Sequence, residues 1–97
     1  MQTAFIATLI VHQDQLAEFE ELQKKLSVIT HDDEPGTLVY DFLRHAEQPN
    51  TYVVYARFRD DAAFQAHQDS PSHDELVPPI LEALAEDMDL QFYELVE

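Results

Sequence analysis

Ninety-seven residues, 45% of them hydrophobic, are enough for one domain with a modest core and too few for two ordinary ones. Twenty acidic residues against five Lys and Arg give a formal net charge of −15, which repels phosphate backbones and anionic membranes and excludes nucleic acid as a partner. Cysteine is absent, removing disulfides, thiol catalysis and thiolate metal sites, and the start MQTAFIATLIVHQ has neither a basic leader nor an apolar run long enough to span a membrane. The expectation is a single soluble cytoplasmic domain over residues 1–97.

In chain order, residues 3–12 read as a strand with two apolar faces, Phe5, Ala7, Leu9 and Val11 against Ala4, Ile6, Thr8 and Ile10. Asp14 is placed to cap a helix whose inner stripe is Leu16, Phe19, Leu22, Leu26 and Ile29. The run HDDEPG ends that helix, with proline disfavouring helical geometry before it and Gly36, the only glycine, permitting the turn. Residues 37–45 and 51–59 alternate as strands around the turn AEQPN and predict an antiparallel hairpin. Asp60 or Asp61 caps a short helix with Ala63, Phe64 and His67 inward, and Ser72 with Glu75 predicts a capping box for the next. Pro78 and Pro79 predict a kink or restart in that helix, and residues 88–96 close the chain as a strand. This order predicts an α+β, ferredoxin-like four-stranded antiparallel sheet with helices on one face. The opposite face is also apolar, so a homodimer joined through sheet faces is expected.

Of the five histidines, His12, His31 and His45 fall at element ends or in loops and read as surface residues. His67 shares the inward stripe of Ala63 and Phe64. Two readings stay open for it: a core-edge histidine bonded to a backbone carbonyl, or a general acid/base at a pocket between helix and sheet. His67 and His73 do not share a helical face, so no metal site is expected, and one glycine rules out a phosphate-binding loop and the nucleotide cofactors it would hold. Tyr40, Tyr52, Tyr55, Phe42 and Phe58 on the hairpin are either core or, if a cavity exists, walls for a flat aromatic ligand.

The segment EPGTLVYDFLRHAEQPNTYVVYARFRDDAAFQAHQDSPSH resembles the central signature of the antibiotic biosynthesis monooxygenase family. The matching positions are Gly36, Tyr40, Pro49, Asn50, Phe58, Asp60, Ala63, His67, Ser70 and His73. The resemblance implies a dimeric α+β barrel that oxidises a small phenol, quinol or anthrone with dioxygen as co-substrate and without metal or flavin. It implies His67 as the catalytic residue, with Tyr40, Tyr52, Phe58, Phe64 and His73 around the substrate. Two positions depart from the family pattern: Ala56 stands where a strand glutamate is usual, and His73 is displaced by one residue. Haem-degrading relatives carry a tryptophan at the position of His67, and this chain has none. A non-oxidative isomerase and a non-catalytic ligand-binding dimer remain as alternatives, and the acidic residues read as a solvated coat.

Overall fold

The computed structural model describes residues 2–97. Side-chain alternation puts Phe5, Ala7 and Leu9 on the core face of strand β1 (Thr3–Ile10), which lies inside the sheet. Helix α1 (Leu16–Asp33) follows, then β2 (Thr37–Arg44), β3 (Thr51–Phe58), α2 (Asp61–Gln68), α3 (Pro71–Glu82) and β4 (Asp89–Glu94). The sheet order is β2-β3-β1-β4, antiparallel throughout, so the expected α+β, ferredoxin-like arrangement is present. Register sets Phe5 opposite Ala56 and Phe92, and Tyr40 opposite Ala56, which brings these four side chains to one face.

The helices cover that inner face. Phe19, Gln23, Leu26 and Thr30 form the buried stripe of α1, at helical spacing. The stripe therefore centres on two polar residues outside the expected set, with Leu16, Leu22 and Ile29 flanking it, partly buried. The opposite sheet face carries Ile6, Ile10, Val39, Leu43, Val53 and Tyr55, and no helix among the described residues covers it.

Three local expectations are corrected. Asp14 does not cap α1: it lies in a 3-10 turn (Gln13–Gln15) that runs directly into the helix, whose N-cap, Gln15, makes no side-chain cap bond. Ser72 and Glu75 form no capping box, because α3 starts earlier, with Ser70 Oγ accepting from the His73 N–H at 3.2 Å. Pro71 then occupies the first helical position, where its missing N–H and fixed φ cost nothing. Of the kink or restart expected at Pro78 and Pro79, the restart does not occur, since α3 runs from Pro71 to Glu82 through both. The carbonyls they leave unbonded belong to Asp74 and Glu75, exposed residues where water can serve them.

Asp60 caps α2 through the Ala63 N–H at 2.8 Å. Gly36 has no positive φ, so its role is close approach rather than turn freedom: a Cβ there would lie 2.6 Å from the Ala63 Cβ. Loop 34–36 thus packs directly on α2. No helix among the described residues is long and apolar enough to cross a membrane.

Candidate functional site

His67 sits on the inner face of α2, four residues after Ala63, and is 2% exposed. Pro35 explains its main partner. As the residue before a proline, Glu34 leaves helical geometry (φ −121°, ψ 86°) and ends α1. Its carboxylate Oε1 then lies 2.8 Å from His67 Nδ1 and accepts from Thr37 Oγ1 at 3.0 Å. An ionised carboxylate can only accept, so Nδ1 carries a proton, and in the neutral ring Nε2 is then the nitrogen with the lone pair. Among the described residues the partner of His67 Nδ1 is this carboxylate and not the backbone carbonyl that one of the two readings expected.

On its other side His67 borders a cavity of about 140 Å³ between the sheet and the helices. Phe5, Leu26, Val54, Phe64, Ile80 and Leu90 supply its apolar wall, and Gln23, Tyr40, His67, Gln68 and His73 its polar groups. Leu81 and Met88 also line it and are 44% and 36% exposed, which opens the cavity to solvent at that side.

Tyr40 is buried, and Gln23 Nε2 donates to its hydroxyl at 3.2 Å. The phenol's own proton has no acceptor among the described residues, and burial pushes its pKa up to about 12. It is therefore a standing O–H donor at neutral pH. His31 Nε2 bonds the Tyr40 carbonyl at 2.8 Å and ties this part of β2 to α1. His73, half-buried, has its ring 5.2 Å from that of His67. Burial, and then the neighbouring imidazole, hold its pKa below the usual histidine value, which favours the neutral ring.

Tyr40, Phe64, His67 and His73 of the expected set thus come together around one cavity. Tyr52 and Phe58 do not line it. Tyr52 is 1% exposed, packs on Phe19 and Phe42, and donates its hydroxyl to Glu20 at 2.6 Å. Phe58 is fully buried behind His67, ring centroids 5.4 Å apart, where it supports the imidazole from below. His12 and His45 are exposed, as expected.

Two residues enter the site that sequence reasoning passed over. Gln23 stood at the right spacing, four after Phe19 and three before Leu26, but an apolar-only stripe skips it. Glu34 had no signal beyond its place before Pro35. Among the described residues no three His, Asp or Glu side chains converge as a metal-ligand set.

The sequence from residue 4 to 78 matches the profile of the antibiotic biosynthesis monooxygenase family. The chain belongs to that family. Among solved structures, it superposes on a candidate antibiotic biosynthesis monooxygenase from Caulobacter crescentus with a TM-score of 0.94 at 24% identity, over 99% of this chain and 91% of that one. Rv0793 from Mycobacterium tuberculosis gives 0.92 at 21% identity, over 100% and 97% of the two chains. A conserved protein from Methanosarcina mazei gives 0.89 at 22%, over 96% and 91%. At these identities the likeness establishes the fold. No curated protein is significantly similar in sequence.

The antibiotic biosynthesis monooxygenase signature positions can now be placed. Gly36 is the contact with Ala63, Tyr40 and His67 face one another at 5.5 Å between ring centroids, and His73 flanks them. Ala56, at the family's usual glutamate position, is fully buried on β3 between Tyr40 and Phe5. The carboxylate beside the histidine in this chain is Glu34, from the loop after α1.

Proposed function

We propose that this chain is a cofactor-independent monooxygenase of a one-ring phenol or hydroquinone. The supporting observation is the side-by-side placement, in one apolar cavity, of an imidazole whose Nδ1 donates to a carboxylate and a buried tyrosine hydroxyl with its proton free to give. His67 Nε2 takes the ring hydroxyl's proton, and Tyr40 donates to the oxygen that becomes negative. The electron-rich phenolate then reduces dioxygen. For a hydroquinone the sum is one substrate and one dioxygen giving one hydroxyquinone and one water, with all electrons drawn from the ring. Size narrows the class, since a dry cavity of about 150 Å³ takes up benzene. The volume here, about 140 Å³, suits one ring, and a three-ring anthrone needs a wider site.

The protein is a homodimer in this reading, with the uncovered sheet faces packed together. The apolar residues Ile6, Ile10, Val39 and Val53 on that face support it, since water contact across them is unfavourable.

The two adjacent imidazoles favour one second reading, a non-oxidative isomerase in which His67 and His73 move a proton between two atoms of a small carbonyl compound. Oxygen uptake with a panel of hydroquinones and anthrones separates the readings, with chelator present and autoxidation subtracted. Uptake that requires both His67 and a one-ring substrate is the expected result. Anaerobic turnover replaces the oxygenase by the isomerase. Binding without turnover in either gas phase leaves a ligand-binding dimer.

A further inference from the structure

Three polar side chains on the cavity wall are buried: Gln23 at 3%, Tyr40 at 4% and His67 at 2% exposure. Gln68 and His73, the other two, are half-buried. Tyr40 and His67 have parts in the proton transfer described above, whereas Gln23 has none beyond its bond to Tyr40. It stands in the buried stripe of α1 between Phe19 and Leu26, where a leucine or methionine would pack without the cost of burying an amide.

Only half of that amide is used. Nε2 donates to the Tyr40 hydroxyl at 3.2 Å, whereas Oε1 has no hydrogen-bond partner among the described residues. Unlike the sealed hydroxyl oxygens of Ser27 and Thr30, Oε1 keeps some open surface, and the space that Gln23 borders is the cavity. The Tyr40 proton is also without an acceptor. The pair therefore shows the cavity one donor, the Tyr40 O–H, and one acceptor, Gln23 Oε1, side by side. Turning the amide over exchanges the parts, with the Tyr40 oxygen accepting and Nε2 donating, and keeps the same pattern.

On the phenol reading of the cavity, on which this rests, we infer that Gln23 selects a ring with two neighbouring hydroxyls, a catechol, over phenol and hydroquinone. One ring hydroxyl accepts from Tyr40 and faces His67. Because Gln23 is bonded to the Tyr40 hydroxyl itself, its Oε1 is reached from the adjacent ring carbon, whose hydroxyl donates to it. Phenol leaves Oε1 desolvated and unbonded, which costs affinity. Hydroquinone does the same, because its second hydroxyl lies across the ring and points away from the Tyr40–Gln23 pair. A site with a buried group left unpaired discriminates strongly against the analogue that lacks its partner.

The test is binding to the whole chain under argon, by titration calorimetry with phenol, catechol, hydroquinone and 2-fluorophenol. The last fills the second position without an O–H to give. Wild type should bind catechol about 10- to 100-fold more tightly than the other three. Gln23→Met keeps the side chain's length and removes its polar atoms, and should bring the four ligands within about threefold. Gln23→Leu carries the test if the methionine variant does not give a native amide NMR spectrum. A glutamine that only satisfies Tyr40 would change the unfolding free energy on substitution and leave the ligand ratio alone. Four equal affinities in wild type, or a ratio unchanged in Gln23→Met, overturn the assignment. So does a ratio lost in His73→Gln and kept in Gln23→Met, which gives the second hydroxyl to His73.

Oxygen uptake by the same proteins separates this assignment from the reading beneath it. A Gln23-dependent preference for catechol in a protein that consumes no oxygen removes the oxygenase and leaves the assignment standing. Uptake that requires His67, without that preference, removes the assignment and leaves the oxygenase. Wild type that binds none of the four rings overturns both.

Discussion

His67 Nδ1 and Glu34 Oε1 lie 2.8 Å apart although 33 residues separate them in the chain. The contact exists because Pro35 ends α1 at Glu34 and because Gly36 lets the following loop sit directly on α2. It orients the imidazole and keeps a proton on Nδ1, the arrangement that the proposed base role of His67 needs. His67→Ala should lower oxygen uptake with a one-ring hydroquinone by about 10²- to 10⁴-fold. Thr37 still donates to Glu34, so the variant should remain folded, with a stability loss of about 1–3 kcal/mol by thermal or urea unfolding. An unchanged uptake rate would remove His67 from the reaction.

Tyr40 offers a prediction at high pH. Its folded pKa is raised from the ordinary 10.0 to about 12, so the fold favours the protonated phenol. That contribution is complete below the unfolded value and is lost as pH rises through the folded one. Wild-type stability should decline from about pH 10 towards pH 12, and Tyr40→Phe should lack this component. At neutral pH Tyr40→Phe leaves Gln23 Nε2 without its acceptor and should cost about 1–3 kcal/mol. Unfolding curves for both proteins across this range provide the check; parallel pH profiles would contradict the assignment.

Gly36→Ala should destabilise the protein by about 1–3 kcal/mol, because its Cβ would sit 2.6 Å from the Ala63 Cβ and push the loop away from α2. The same displacement should pull Glu34 from His67 and reduce uptake. Adding Ala63→Gly removes the clashing atom, so the double variant should recover stability relative to the sum of the single changes. A strictly additive cycle would show that the contact is not the cause.

At the far end of the inner face, Glu20 accepts from Tyr52 and pairs with Arg44 and Lys24. The Tyr52 hydroxyl first, and Arg44 second, hold its pKa below the usual 4.5. Stabilisation by ionised Glu20 is therefore complete above that value and is lost as pH falls through the lower folded value. Glu20→Gln should flatten this part of the acid limb, as measured by urea unfolding between pH 5 and pH 3 (approximate limits set by carboxylate titration). It should leave oxygen uptake unchanged, because neither Glu20 nor Tyr52 borders the cavity.

For the sheet face, Val53→Asp together with Ile6→Asp should convert a dimer into a species of the 11.2 kDa chain mass in sedimentation equilibrium. These side chains lie on the uncovered face of β3 and β1, away from His67. A wild-type protein already sedimenting at the chain mass would refute the dimer.

The sequence by itself determined the strands, the helices and their order, because period-two and helical patterns, Asp60 as a cap and the turn residues around Pro49 and Asn50 are local properties of the chain. It also placed His67 inward, since spacing from Ala63 on one helix is sufficient for that. Where two local signals competed, the nearer-looking one could mislead: Ser72 with Glu75 resembled a capping box, yet Ser70 followed by Pro71 starts α3. What only the tertiary structure decided is which side chains from different elements meet. Tyr40 and Tyr52 sit on the same face of adjacent paired strands, yet one borders the cavity with Gln23 and the other is tied to Glu20. Glu34, one acidic residue among twenty, becomes the partner of His67 only when loop 34–36 packs on α2. Local pattern encodes burial and direction along one element, whereas a hydrogen bond between elements depends on the packing distance that the whole chain sets.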